Sequence, residues 1–152
     1  MLTPAPRSVI VLSSHVTASR VGGRVSAAVL SAHGFEPLSV PTVVFGRHPG
    51  LGAPGGGPVP DAVFEGALKG LAATGAPARA AAILTGYFAS PAQVEAAARF
   101  IGAARAANPA LKVLVDPICG DGDPDTGEAG LYVPAATADA LSGHLVAHAD
   151  LL

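Results

Sequence analysis

The stretch most suited to chemistry is Asp116-Pro117-Ile118-Cys119-Gly120-Asp121. Two carboxylates lie five residues apart behind a short apolar run, with a proline and a glycine to shape the turn between them. Such carboxylates suit Mg²⁺, which keeps several waters and bridges protein oxygens to phosphates. Equally, Asp116 could cap a turn while Asp121 is simply solvated. Ser14 and His15 end another apolar run, where a serine hydroxyl can hydrogen-bond a ligand or only cap the strand. Val21-Gly22-Gly23-Arg24 opens a helical pattern whose free N–H groups could meet an anion. His48 stands in a Gly/Pro-rich stretch as a ligand contact or an exposed ring, and Tyr87 could stack on a flat ring or pack as core. Cys119 has no matched base, so it reads as a packing residue and not a nucleophile. His33, His144 and His148 fall on helix surfaces or ends and read as structural.

The elements that must carry these residues alternate. Residues 8–12 form a β-branched run, a buried strand. Val25, Val29 and Ala32 recur at helical spacing and Gly34 stops that helix. Residues 38–44 predict a second strand, with Pro41 marking an edge or an irregularity. Residues 46–60 are Gly/Pro-rich and predict an irregular binding loop or lid. Asp61 is read as the cap of a helix facing inward with Phe64, Leu68 and Leu71, ended by Gly75 and Pro77. A third strand spans 80–84. Ser90-Pro91-Ala92-Gln93 then opens a helix as a capping box, with Val94, Ala97, Ile101 and Ala104 as its buried stripe. A fourth strand spans 111–115, an acidic Gly-rich loop 119–130 and a last helix 137–147, with Leu141 and Leu145 on one face. Strand–helix alternation of this kind implies right-handed crossovers and a parallel sheet, with ligands beyond the carboxyl ends of the strands. Ser14, His48, Tyr87, Asp116 and Asp121 all fall at those ends.

At 152 residues the chain suits one domain. Being 50% hydrophobic and 13% charged, it has the apolar surface that a disordered tail lacks. A net charge of −2 argues against a broad nucleic-acid footprint, and a single cysteine against a disulfide framework or a multi-Cys zinc site. The apolar run at 9–12 is too short for a signal segment, and nothing approaches the roughly 18 apolar residues of a membrane span. A cytoplasmic domain with no membrane partner is expected.

Taken together, several motifs resemble the N-terminal half of pyridoxal kinases, in the ribokinase-like superfamily. They are Ser14-His15-Val16, Val21-Gly22, Gly34, Thr42-Val43 with Phe45 and His48, Thr85-Gly86-Tyr87 with Ser90, Ala107-Asn108-Pro109, Asp116-Pro117 with Gly120-Asp121, Leu131-Tyr132-Val133 and Ala149-Asp150. Order and spacing agree from about Ile10 to the last residue. The resemblance implies a three-layer α/β/α fold with a mostly parallel sheet, truncated after about half the usual domain, so that residues 1–152 form the N-terminal part of one kinase domain. It implies transfer of the ATP γ-phosphoryl to the 5′-hydroxyl of pyridoxal, pyridoxine or pyridoxamine. Ser14 would hydrogen-bond the pyridine ring, His48 and Tyr87 would line the substrate pocket, Asp116 would lie near the nucleotide phosphates, and Asp121 would help hold Mg²⁺. Full-length members are typically homodimers.

The departures are specific. Ser13 replaces a family glutamine, and Gly23 a family asparagine. Pro49 replaces the threonine that contacts substrate, and proline has neither hydroxyl nor N–H. Gly120-Asp121-Gly122-Asp123 spells the Gly-x-Gly-Asp of the family base, but no helical period follows it, so the match is rejected. The family's base lies in the half without a counterpart here, so no catalytic residue is assigned and the chain alone is expected to be inactive. One apolar face and the sheet edges are expected to stay uncovered. Two other readings remain: a non-catalytic module that binds the vitamer or a partner, and a relative of the hydroxymethylpyrimidine kinases.

Overall fold

Ser8–Val16 forms the central strand β1, in which Val9 to Ser13 are buried without a break. Burial on both faces is what a middle strand of a parallel sheet requires. The computed structural model describes residues 7–122, 125–127 and 129–152. The segment read for targeting, Met1 to Pro6, and Asp123 of the rejected motif lie outside them. On one side β1 pairs in parallel with β2 (Glu36–Phe45), on the other with β4 (Ala82–Thr85), which pairs in parallel with β5 (Lys112–Val115). A short β3 (Gly56–Pro58) runs antiparallel along β2, giving the order β3-β2-β1-β4-β5.

Helices cover both faces, as the α/β reading expected. Ile10, Leu12, Ile83, Val113 and Val115 face a core shared with α2 (Asp61–Ala73), α3 (Pro91–Ala107) and α4 (Ala135–Ala140). Phe64 and Phe88, both fully buried, meet there edge to face with ring centroids 6.3 Å apart. The predicted stripe Val94, Ala97, Ile101 and Ala104 is buried throughout, as are Leu141 and Leu145. On the opposite face α1 (Gly22–Ala32) lies over β1 and β2.

Several expectations are corrected. The Val25–Val29–Ala32 periodicity is helical, yet none of the three is buried: Val29 is 52% exposed, and Val25 lines the space between α1 and β4. Gly23 is the buried contact of α1, because a residue without a side chain lets the helix backbone close on Ser14 and Val11. The 46–60 segment is not wholly irregular. It carries the 3₁₀ turn Pro49–Leu51 and β3, whose Gly56 has φ +78° and sits where a Cβ would overlap the Val44 carbonyl. The 119–130 loop likewise closes into a hairpin of β6 (Gly120–Gly122) and β7 (Ala129–Leu131). Asp61 is the first helical residue and not the cap; its carboxylate accepts a hydrogen bond from Ser90 Oγ. The last helix begins at Ala135 and passes into a π-turn, Leu141–Leu145, and a 3₁₀ turn, Val146–His148. Pro41 does mark an irregularity: it pairs with Ser13 immediately before a register shift, beyond the reach of β3.

Beyond the last turn, Leu151 bridges in parallel to Leu114, and the Val115 N–H donates to the Leu151 carbonyl. Asp150 anchors this segment by accepting from the Val113 N–H and pairing with Arg105. Leu84 and Leu114 alternate with the core residues of their strands, so they lie on the α1 face, and both are only half-buried. Leu151 and Leu152 are exposed, so the expected uncovered apolar surface lies along this side of β4 and β5.

The Val113 N–H, together with Arg105, holds the Asp150 carboxyl below its usual range against a smaller opposing effect of desolvation. A carboxylate with a depressed folded-state pKa contributes stability that is full above its unfolded value and lost as pH falls through its folded value. Asp150→Asn is expected to remove part of the acid dependence of the melting temperature in and below the ordinary carboxylate range, as measured by circular dichroism, while leaving the neutral-to-alkaline profile parallel to the parent.

Candidate functional site

The site grows out of the end of β1. Between Ser13 and His15 the pairing with β2 shifts register, an irregularity of the kind that re-aims side chains at strand ends. Ser13 stays buried against Gly86, and Ser14 turns toward Gly22. Gly22 has φ +60°, and a Cβ there would overlap Ser14 Oγ, so the close approach needs glycine twice over. His15 bridges back to Gly22, and Arg24 donates to the Thr17 carbonyl, closing the turn between β1 and α1.

Three other segments meet this turn. The β2–β3 hairpin brings Phe45, His48, Pro49 and Gly50. His48 Nδ1 accepts from the Gly50 N–H at 3.1 Å, which leaves the proton of the neutral ring on Nε2. The segment after β4 brings Tyr87, whose carbonyl accepts from Thr42 Oγ1 at 2.6 Å. The segment after β5 brings Asp116, Ile118 and, through the β6–β7 hairpin, Asp121 and Tyr132.

Two adjoining cavities result. The larger, about 480 Å³, is lined by Ser14, His48, Tyr87, Asp121 and Tyr132, with Val16, Val21, Phe45 and Ile118 among its apolar walls. The smaller, about 160 Å³, is lined by Ser13, Ser26, Thr85, Gly86 and Asp116. Gly22 and Ile118 line both. Four of the five sequence-selected residues therefore share one cavity and Asp116 lies in its neighbour. A third space, of about 350 Å³ beside α1 and lined by Ser39, Arg24 and Ala27 among others, contains Ser14 but none of the other four.

Burial pushes the Tyr87 phenol up. The Tyr132 phenol is also raised, first by desolvation and then by the negative charges of Asp121, Cys119 and Asp116. Both rings stay protonated at neutral pH and can donate to a ligand. Asp116 and Asp121 are exposed, and no three His, Cys, Asp or Glu side chains gather as a metal cage among the described residues. Cys119 is half-buried against the core, in keeping with a packing role. Reading the sequence singled out Tyr132 only as part of a motif; the β6–β7 hairpin that returns it to the cavity is held by Gly-rich pairing, which has no apolar periodicity to reveal it.

No family model matches the chain. It is 37% identical over 149 residues to a pyridoxine/pyridoxal/pyridoxamine kinase of Bordetella pertussis, covering 98% of this chain and 51% of that one. A pyridoxal kinase of Deinococcus radiodurans is 33% identical, covering 79% of this chain and 41% of that one. Among solved structures, the pyridoxal kinase of Leishmania donovani in complex with ADP superposes with a TM-score of 0.82 at 27% identity, over 94% of this chain and 47% of that one. The Entamoeba histolytica pyridoxal kinase gives a TM-score of 0.86 at 23% identity over 95% and 49%, which shows the shared fold. The chain spans about half the length of the curated relatives it matches. It is a homologue of the pyridoxal kinases, and its fold is theirs: ribokinase-like, with a mostly parallel sheet between helices.

Gly22→Ala is expected to lower unfolding stability by more than about 1 kcal/mol, measured by urea denaturation, because strain at positive φ adds to the overlap with Ser14. Asp121→Asn is expected to move the Tyr132 titration toward the ordinary phenol value, read by ultraviolet absorbance in a Tyr87→Phe background.

Proposed function

We propose that this chain, homologous to about half of a pyridoxal kinase, is the vitamer-binding part of such a phosphotransferase, with residues 1–152 the N-terminal portion of a single ribokinase-like domain. The carrying observation is the convergence of Ser14, His48, Tyr87 and Asp121 on one cavity with Asp116 in the next. A flat pyridine ring suits a cavity with apolar walls, two protonated phenols and a serine hydroxyl. In this reading Ser14 hydrogen-bonds the ring, Tyr87 and His48 flank it, and Asp116 faces the ATP phosphates. The 5′-hydroxyl oxygen attacks the γ-phosphorus, the bond to the bridging oxygen breaks, ADP leaves, and the alcohol proton passes to a general base. That base, and most of the nucleotide site, would come from the half of the relatives this chain does not span.

Mg²⁺ takes one or two protein carboxylates together with substrate phosphates and water, not an all-protein cage. Two exposed carboxylates at neighbouring cavities fit that donor set, so Asp121 would hold the ion, with Asp116 in the adjoining cavity. The ion would neutralise phosphate charge. Pro49 supplies no hydroxyl to the ring, so vitamer affinity is set by the remaining contacts. The relative in complex with ADP and pyridoxamine supports the pairing of nucleotide and vitamer in one site. No helix among the described residues is long and apolar enough to cross a membrane. A cytoplasmic homodimer, when the full domain is present, belongs to the same proposal.

The test joins this chain to the remaining half of the Bordetella pertussis relative and assays ATP- and Mg²⁺-dependent formation of pyridoxal 5′-phosphate. Turnover is expected for the joined protein and not for the 152-residue chain. Ser14→Ala should weaken pyridoxal binding by about two- to tenfold, the worth of one hydrogen bond. Saturable binding without phosphorylation by the joined protein would leave the chain a binding module and overturn the kinase reading.

A further inference from the structure

Two side chains that belong to neither cavity tie their walls together. Gln93 is only 1% exposed, and its amide makes three hydrogen bonds. Oε1 accepts from the Ala89 N–H at 3.1 Å, while Nε2 donates to the Thr42 carbonyl at 3.0 Å and the Val59 carbonyl at 2.8 Å. Thr42, fully buried, turns its hydroxyl the other way, to the Tyr87 carbonyl. The Thr42 carbonyl also accepts from the Val59 N–H, so Thr42 and Val59 form the base of the hairpin that carries His48. The two cross-links land on Tyr87 and Ala89, either side of Phe88, which is fully buried against Phe64.

We infer that Thr42 and Gln93 are positioning residues that hold Tyr87 at a set distance from the His48 hairpin and so fix the width of the larger cavity. A capping box needs the Gln93 side chain only at the start of its own helix. Here the amide reaches across to two carbonyls of another element. Ordering a buried amide at three partners is costly unless every bond is made, so the clasp has one low-energy geometry. Tyr87 sits beside the doubly pinned Phe88 and inherits that geometry. The role of Tyr87 toward a ligand rests on the function proposed above; the clasp itself does not.

The chain has two tyrosines and no tryptophan. In a Tyr132→Phe background, emission at tyrosine wavelengths therefore reports Tyr87 alone. Thr42→Val removes the hydroxyl at nearly constant volume. Expected are a rise of roughly twofold in acrylamide quenching of Tyr87 and a loss of about five- to tenfold in pyridoxal affinity, both restored by Thr42→Ser. Gln93→Met should act in the same direction; should it fail to fold, Thr42→Val carries the test. A Thr42→Val chain that melts earlier but keeps parental quenching would make the clasp merely structural and overturn the inference. Raised quenching with unchanged affinity would overturn it equally. If the parent does not bind pyridoxal, the functional reading fails, and the quenching comparison by itself still decides the clasp.

Discussion

The loss of register between Ser13 and His15 is the constraint on which the site depends. Up to Leu12 the central strand is committed on both faces, one to the α2–α3–α4 core and the other to α1. A strand so placed cannot offer a side chain to a ligand without leaving buried polar atoms unpaired. The shift ends that commitment within one residue. It keeps Ser13 buried, turns Ser14 to Gly22 and lets the chain reverse into α1. The glycine at 22 is the other half of the same device, because any larger residue would displace the serine.

Around that point the fold works by convergence. Parallel strands end at one edge of the sheet, and each here is followed by a segment that turns inward and not directly into its helix. Two of those segments are stiffened by antiparallel pairing, β3 along β2 and β6 along β7. Pairing gives otherwise irregular Gly-rich chain a defined shape. Hydrogen bonds from Thr42 and Gln93 then join the first hairpin to the segment bearing Tyr87. The result is a cavity whose apolar walls come from different elements, with polar groups at a few separated points.

A different character marks the α1 face of the sheet along β4 and β5. Leu84 and Leu114 are half-buried, Val29 and Leu151 are exposed, and Leu151 already lies in parallel register beside Leu114. Asp150 and Arg105 hold that final segment against β5. An apolar face beside a parallel edge is suited to further strands and helices. This fits a chain that matches its relatives over about half their length.

Much of this was legible in the residues themselves. Runs of β-branched residues, the Ser90–Gln93 cap and the stripe from Val94 to Ala104 each encode their local structure through short-range sterics and a fixed period. The α/β class and the placing of Ser14, His48, Tyr87, Asp116 and Asp121 at strand ends follow from those alone. What no local pattern carries is partnership across distance. The exposure of Val29, with Gly23 as the buried contact of α1, was decided by how closely that helix approaches the sheet. The pairing of β3 and of the β6–β7 hairpin came from backbone groups needing partners, which glycines supply without any periodic signal. Gln93 reads in the sequence as a helix cap and becomes a three-way tie only because Thr42 and Val59 are folded against it. Local propensity chose the elements; the need to satisfy buried polar groups between elements chose how they meet.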